Sequence, residues 1–192
     1  MRHNLIATFA AVLVLAGCGG GQTPAAAPPA TGAKVSSTHN DADVMFAQMM
    51  IAHMEQGVDM AQVAKAKSTR QDVKDFAGAV DATQRDELTT LKSWLQTWGV
   101  PTTTDHNPNA HAHHGGLPLI DENTIRNLGN LSGTEFDATY INLMNGHQGG
   151  AVEMARTELK DGSNPELKAY ADRVAQSRQA QVGRLIGMVN GS

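Results

Sequence analysis

The chain has 192 residues, a single cysteine and a net charge of −4 at neutral pH. This length allows one domain with a substantial core, and one cysteine excludes an internal disulfide. Lysine and arginine are scattered along the chain and form no basic cluster, so we do not expect nucleic acid as a partner.

Residues 1–17 predict a secretory signal peptide, because Arg2 and His3 precede the apolar run LIATFAAVLVLAG. This run is too short for a comfortable membrane span. It ends at Cys18 in the sequence Leu-Ala-Gly-Cys, which resembles a bacterial lipobox. We therefore expect Cys18 to be lipid-modified, for example with palmitate, and to anchor an extracytoplasmic protein to the cell membrane. The alternative is an ordinary signal peptide with a chance cysteine.

Residues 18–40 predict a disordered tether between the lipid and a folded domain. After Cys18 they read GGGQTPAAAPPATGAKVSSTHN, a composition of glycine, alanine, proline and small polar residues. Such a segment cannot bury enough apolar surface to fold. The folded domain is therefore expected over residues 41–190.

Helical periodicity within this domain predicts four long helices and a short helical turn. The expected helices cover 41–67, 70–98, 133–160 and 165–189, and the turn lies near 121–128. Gly99 and Pro101 should end the second helix. No strand is expected, because apolar residues never alternate at period two for long.

Cap residues indicate where the later helices begin. Ser132 and Glu135 are spaced for a capping box at the start of the third long helix. Asn164 followed by Pro165 is typical of the first turn of a helix.

The chain repeats one pattern in residues 41–99 and 133–190. The stretch MMIAHMEQGVDMA at 49–61 matches LMNGHQGGAVEMA at 143–155, which aligns His53 with His147 and Asp43 with Asp137. Two copies of one helical hairpin explain this match. We therefore predict an all-α, antiparallel four-helix bundle whose two hairpins cover each other's apolar stripes and are joined by a His-rich linker at 100–132.

Methionine and histidine share the inner stripes of the first and third long helices. A soft donor set of imidazole and thioether suits copper, especially Cu(I). We expect these two helices to face each other across the core, so that His53 and His147 form one shared copper site with Met50 and Met144 one turn away. The alternative is that methionine fills the core and each histidine is an ordinary buried residue. The candidate metal ligands are His53, His147, Met49, Met50, Met54, Met60, Met144 and Met154.

Polar residues interrupt the inner stripes of the other two helices. Gln84 and Glu87 stand in one, and Arg178 and Gln181 in the other. A buried charge is costly unless it is paired, so Glu87 should reach His53, His147 or Arg178. Gln84, Glu87 and Arg178 are thus candidates to support the metal ligands, and the alternative is a structural polar layer.

A second candidate metal site lies in the linker DHNPNAHAHHGG. Neutral imidazoles this close together can capture Cu(II), Zn(II) or another divalent ion. The alternative is a flexible polar linker. Its candidate ligands are His106, His111, His113 and His114.

Both repeats resemble domain of unknown function 305, a ferritin-like bacterial family associated with copper. The family's Asp, aromatic residue and M..HH...A..MA pattern is similar to D43..F46..MMIAHMEQGVDMA and D137..Y140..LMNGHQGGAVEMA. The resemblance covers residues 41–190 and implies a ferritin-like fold and a copper-related role. In place of the family's His-His pair, His53 is followed by Met54 and His147 by Gln148.

Taken together, these features predict a membrane-tethered extracytoplasmic protein that binds a metal ion in copper sequestration or tolerance, and not an enzyme. A di-iron oxidase would need Glu-x-x-His on two helices, which neither repeat contains. A nucleophilic hydrolase would need a serine in a Gly-x-Ser-x-Gly elbow, which is also missing. The alternative is a helical interaction or structural module that binds no metal. The sequence identifies no protein partner.

Overall fold

A computed structural model describes residues 34–103 and 118–190, and within these ranges the protein is all-helical. The helices are α1 (Asp41–Lys67), α2 (Gln71–Trp98), α3 (Glu122–Leu128), α4 (Gly133–Asp161) and α5 (Pro165–Asn190). The predicted all-α class is confirmed, and each helix begins and ends within two residues of the expected position. In the described ranges, the longest apolar helical stretch falls short of what a membrane span needs.

Several sequence-predicted residues lie outside the described ranges. The signal peptide and Cys18 precede residue 34, and the four linker histidines fall between residues 103 and 118. These positions are His106, His111, His113 and His114.

Two of the long helices begin with side-chain caps. Asn40 and Asp43 form a reciprocal capping box at α1, and the Asn164 side chain accepts a hydrogen bond from the Leu167 amide at α5 (2.8 Å). The capping box predicted for α4 is wrong, because the Ser132 side chain makes no capping hydrogen bond. Gly133, which follows directly, has a left-handed φ of 58°, so the backbone departs from the helical path at the first position after the cap.

The long helices pack in pairs. Helix α1 packs along α2, α4 packs along α5, and the two pairs meet where α1 contacts α4. Helices α2 and α5 contact each other through long side chains. Trp94 of α2 meets Tyr170 of α5 edge to face, with ring centroids 6.0 Å apart.

The apolar core forms two clusters of buried side chains. The first cluster is built around Phe46, Trp94 and Tyr170, and the second around Phe76, Phe136 and Tyr140. Full burial of a side chain of this size contributes about 1.5–3 kcal/mol, so these clusters are the main source of stability.

Asp43 and Asp137, which align in the sequence, each fix the turn of the other helix pair. Asp43 accepts hydrogen bonds from the Ser163 hydroxyl (2.8 Å) and the Asn164 amide (2.9 Å), in the turn between α4 and α5. Asp137 accepts from the Ser68 hydroxyl (2.5 Å), in the turn between α1 and α2. Both aspartates are buried, so each removes unpaired polar groups from the end of the other helix pair.

The segment just before α1, assigned by sequence to the tether, is held against the helix ends. The Ser36 hydroxyl donates to Glu166 (2.7 Å), and the Trp98 indole donates to the Ser36 carbonyl (2.9 Å). Asn164 donates to the Thr38 carbonyl (2.8 Å). Because of these contacts, the chain enters the domain at a fixed place beside the start of α5.

Glu158 of α4 is buried near Asp43, and this pair gives a pH prediction. Burial and the neighbouring Asp43 raise the pKa of Glu158 from 4.5 to about 9. Between these values the native state keeps a proton that the unfolded chain releases, so the stability linked to Glu158 falls as pH rises through this range. We expect the free energy of unfolding of Glu158→Gln, measured relative to that of the wild type, to increase as pH rises.

Urea unfolding of both proteins at pH 5, 7 and 9 measures this difference. Glu153→Gln is the matched control, because Glu153 lies on the same helix with 71% of its side chain exposed. Parallel pH profiles of stability for the wild type and Glu158→Gln would contradict the raised pKa of Glu158.

Candidate metal centre

His53 of α1 and His147 of α4 meet face to face in the core. Their ring centroids are 3.7 Å apart and their planes differ by 3°. Both side chains are buried. The two residues occupy the same position in their repeats, so the packing of α1 against α4 brings equivalent positions together.

Both ring nitrogens of His53 face carbonyl oxygens. Nδ1 lies 3.2 Å from the Pro118 oxygen, and Nε2 lies 3.1 Å from the His147 oxygen. Burial lowers the pKa of His53 to about 4, although both carbonyls oppose that shift, so the ring is neutral at neutral pH. A neutral imidazole has one N–H and donates to only one of these oxygens. Its other nitrogen faces an oxygen lone pair.

His147 has a different environment, because neither of its ring nitrogens finds a hydrogen-bond partner among the described residues. Burial lowers the pKa of His147 well below its usual value, and His53 and Arg178 add to that shift. The ring is therefore neutral and keeps an available lone pair. Leaving a buried polar group unpaired costs about 1–3 kcal/mol, so an occupant that uses this lone pair gains stability.

Gly57 allows the close approach of His147 to α1. A Cβ atom at Gly57 would collide with Gln84 Oε1 and would come within 2.6 Å of His147 Nε2. These two polar atoms therefore converge on the same point of the α1 backbone. This role of Gly57 was not predicted, although a glycine one turn after His53 in a long helix is a detectable signal.

Polar residues of α2 and α5 lie near the histidine pair, as expected. We use the name histidine layer for these side chains, namely His53, His147, Gln84, Glu87 and Arg178. Of the three partners expected for Glu87, the structure places it against Arg178, in a buried ion pair. Burial raises the pKa of Glu87, and Arg178 opposes that shift. Both amide atoms of Gln84 lack hydrogen-bond partners within the described ranges. The histidine layer thus contains an internally neutral ion pair and several unsatisfied polar atoms.

Gln148, next to His147 in α4, pairs with Gln181 of α5. The Gln148 amide donates to Gln181 Oε1 at 2.6 Å, and Gln148 Oε1 has no partner in the described part of the chain. Gln148 stands where the family pattern has its second histidine, so an amide here replaces an imidazole.

The six candidate methionines divide between the two hydrophobic clusters. Met50 and Met144 therefore lie on different sides of the histidine pair. That both thioethers join one site with the two histidines stays a prediction. Helices α1 and α4 run antiparallel. The helical turn before His53 and the helical turn before His147 therefore lie toward opposite ends of the molecule. Met49, Met50, Met54 and Met154 belong to the first cluster, and Met60 and Met144 to the second.

The donor set of this layer fits a soft monovalent ion. Within the described ranges, no three histidine, cysteine or carboxylate side chains are grouped as metal ligands. Imidazole nitrogens with thioethers in the adjoining turns suit Cu(I), which accepts low coordination. The stacked rings do not point at a common centre, so an ion shared by both histidines requires one ring to turn.

Comparison with known proteins points to one family. The family model for domain of unknown function DUF305 matches residues 43–189. A DUF305 protein of Streptomyces coelicolor, described as a candidate secreted protein, is 23% identical with a TM-score of 0.72, and the match covers 78% of this chain and 93% of that one. A DUF305 fragment from Deinococcus radiodurans is 22% identical with a TM-score of 0.71, covering 80% and 98%.

A third solved structure, CopM in its Cu(II)-bound form, is 25% identical with a TM-score of 0.64, and the match covers 78% of this chain and 96% of CopM. CopM structures are also known in Cu(I)-bound, Ag-bound and apo forms. No curated protein matches the chain significantly. The comparisons therefore give a shared helical fold and one relative with copper and silver complexes.

Proposed function

This chain belongs to the DUF305 family, and we propose that it is an extracytoplasmic copper-binding protein that acts in copper sequestration or tolerance, and not an enzyme. The observation that carries the proposal is His147, a buried neutral imidazole whose two nitrogens lack partners among the described residues. The copper complexes of CopM, a protein of the same fold, support it.

In this proposal Cu(I) binds in the histidine layer. Neutral imidazoles bind a metal without first losing a proton, and burial keeps both His53 and His147 neutral. Met54 lies directly beside His53 in sequence and accepts a contact from the Tyr170 hydroxyl at 3.8 Å, which shows that its sulfur is oriented by the core. The ion pair of Glu87 and Arg178 adds no net charge beside the ion.

We propose that the helices form a ferritin-like, antiparallel four-helix bundle made of two repeated hairpins. The pairing of α1 with α2 and of α4 with α5 supports this arrangement. The equivalent roles of Asp43 and Asp137 support the duplication, because each closes the turn of the other hairpin.

The membrane attachment is proposed from the lipobox at Cys18. The secretion suggested for the Streptomyces relative is consistent with an extracytoplasmic location. Changing Cys18 to Ala should move the protein from the membrane fraction to the soluble fraction. Equal membrane association of both proteins would contradict the anchor.

Metal content of the purified mature chain tests the copper proposal. After loading with Cu(I) under anaerobic reducing conditions and desalting, elemental analysis should find at least one copper ion per chain. Loading with Zn(II) should fill only the second proposed site, in the linker. Replacing His106, His111, His113 and His114 with Ala should remove zinc and leave tightly bound Cu(I). A chain that keeps no copper after desalting would refute the proposal.

A further inference from the structure

A short non-helical segment, residues 118–121, lies against both helices that carry the histidine pair. Its first three residues are half-buried. The carbonyl oxygen of Pro118 lies 3.2 Å from His53 Nδ1, on α1. The Pro118 ring lies beside Gly150 of α4, where an added Cβ atom would come within 3.1 Å of it. We call residues 118–121 the strap, because they bridge α1 and α4 next to the stacked histidines.

One side chain of α1 holds the strap by its backbone. Gln56 Nε2 donates to the Ile120 carbonyl (2.8 Å), and Gln56 Oε1 accepts from the Ile120 amide (2.9 Å). The side-chain amide thus pairs with both backbone polar groups of a single residue. Gln56 and Ile120 are only half-buried, so water can take over both hydrogen bonds when the strap moves away.

His53 holds the strap less firmly than Gln56 does. Its neutral ring has one N–H, yet Nδ1 faces the Pro118 oxygen and Nε2 faces the His147 oxygen. When the proton is on Nε2, it is donated to His147, and Nδ1 directs a lone pair at the Pro118 oxygen. In that tautomer the contact between His53 and the strap is repulsive, so the strap leaves without the loss of a hydrogen bond.

The histidine pair is closed off from solvent, so an ion reaches it only after some element moves. His53 and His147 are 0% and 2% exposed. The four long helices have 26 to 29 residues each, and the two hydrophobic clusters hold them together. Displacing one of them breaks extensive apolar packing, whereas displacing the strap breaks the Gln56 bonds and half-buried contacts. Local opening is therefore least costly at the strap.

The far end of the strap is fixed, which confines its movement to a few residues. Asp121 caps α3 by accepting a hydrogen bond from the Asn123 amide (2.9 Å). Leu128, at the end of α3, is buried in the second cluster. Helix α3 therefore stays in place while the residues before Asp121 swing away from His53.

We propose that the strap is a movable cover that gates access to the histidine pair, and that Gln56 holds it closed. This inference deepens the proposed function and rests on it for the identity of the ion that passes. The cover itself belongs to the metal-free chain, so it is tested without metal. Opening precedes both entry and release of an ion. Weakening the Gln56 contact should therefore raise both rates together and leave the affinity nearly unchanged.

Reaction with diethyl pyrocarbonate, which modifies neutral imidazoles, measures the access of solvent to each histidine of the metal-free mature chain. Peptide mass spectrometry separates the histidines, and His39, before the start of α1, is the reference in every sample. In the wild type, His53 should react much more slowly than His39. Gln56→Ala should raise the relative rate at His53 at least tenfold. That factor corresponds to about 1.4 kcal/mol, which two hydrogen bonds can supply.

The matched control is Gln48→Ala. Gln48 lies about two turns earlier on α1 and donates to the Pro101 carbonyl (2.8 Å), not to the strap, so its loss should leave the rate at His53 unchanged. Gln56→Glu keeps the side-chain volume and should also open the strap, because its carboxylate repels the Ile120 carbonyl. It replaces Gln56→Ala if that variant does not fold. A rate at His53 equal to that of the wild type in the folded Gln56 variants would overturn the gate, as would a rise that only follows a lower melting temperature.

Transfer of Cu(I) to a chromogenic chelator, followed by stopped flow, separates the gate from the proposed function. Release from Gln56→Ala should be at least tenfold faster, with Kd changed less than twofold. A chain that binds no Cu(I) would refute the proposed function, and the reactivity of His53 would still decide the gate. Weaker Cu(I) binding by Gln56→Ala with unchanged reactivity of His53 would overturn the gate and make Gln56 a support of the metal ligands.

Discussion

Replacing Arg178 with methionine should lower the free energy of unfolding by roughly 3–5 kcal/mol, the usual cost of leaving one member of a buried ion pair without its partner. Arg178 and Glu87 are 1% and 4% exposed, so water cannot solvate the remaining carboxylate. Burial already raises the pKa of Glu87, and without Arg178 nothing comparable opposes that shift. The carboxylate of the variant should therefore take up a proton, and the loss should be smaller at pH 5 than at pH 8.

Chemical denaturation of two further variants separates this effect from lost packing. Glu87→Gln/Arg178→Met removes both charges and should recover much of the stability, since a buried pair replaced by neutral residues is often tolerated. Arg156→Met breaks an exposed pair with Glu153 and should cost less than 1 kcal/mol. A loss for Arg178→Met as small as that for Arg156→Met would contradict a tightly desolvated pair.

The helices were predictable because their signals are local. Apolar periodicity, the Asn164 cap and the terminating Gly99 act within a few residues of the backbone that they shape. The same reasoning failed at Ser132, because the left-handed turn at Gly133 overrides a good capping pair. Local patterns favour a cap but do not determine the path of the chain that enters the helix.

The contacts of the repeated aspartates were not predictable from one sequence. Asp43 is the third residue of α1 and caps that helix with Asn40, which is a local signal. Its hydrogen bond to the Asn164 amide crosses to the turn between α4 and α5, and no spacing along the chain reveals that partner. The carbonyl of Pro118 beside His53 is a similar case, because an irregular segment carries it to the site.

The sequence repeat predicted the histidine pair but not the positions of the methionines one turn away. Aligning His53 with His147 predicted that they belong together, and the structure stacks them. The methionines one turn before them were expected to join the same site. An antiparallel crossing relates equivalent positions by a two-fold rotation, so only residues at the crossing point meet. Residues one turn away, such as Met50 and Met144, are carried to opposite sides.

Changing His147 to Ala should weaken tight Cu(I) binding at least 100-fold, and changing His53 to Ala should have a similar effect. Two tenfold steps correspond to about 2.8 kcal/mol of binding free energy, which is within the range for losing one ligand of a two-imidazole site. The stacked rings place both side chains in one layer, so either substitution removes half of the shared nitrogen donors. His147 should be the less replaceable ligand, because the nitrogens of His53 already face two carbonyl oxygens.

Competition with a chromogenic Cu(I) chelator measures these affinities, with His39→Ala as the control. His39 is a half-buried histidine that stacks on Trp98 at 4.5 Å, before the start of α1, so its loss should leave tight binding unchanged. The double variant His53→Ala/His147→Ala should bind no more weakly than either single variant, because residues that share one site are not additive. Two independent losses, each removing one ion, would instead indicate one site per repeat. Unchanged affinity in both single variants would mean that the histidines only pack, and that the repeated methionine and histidine pattern is a feature of the core.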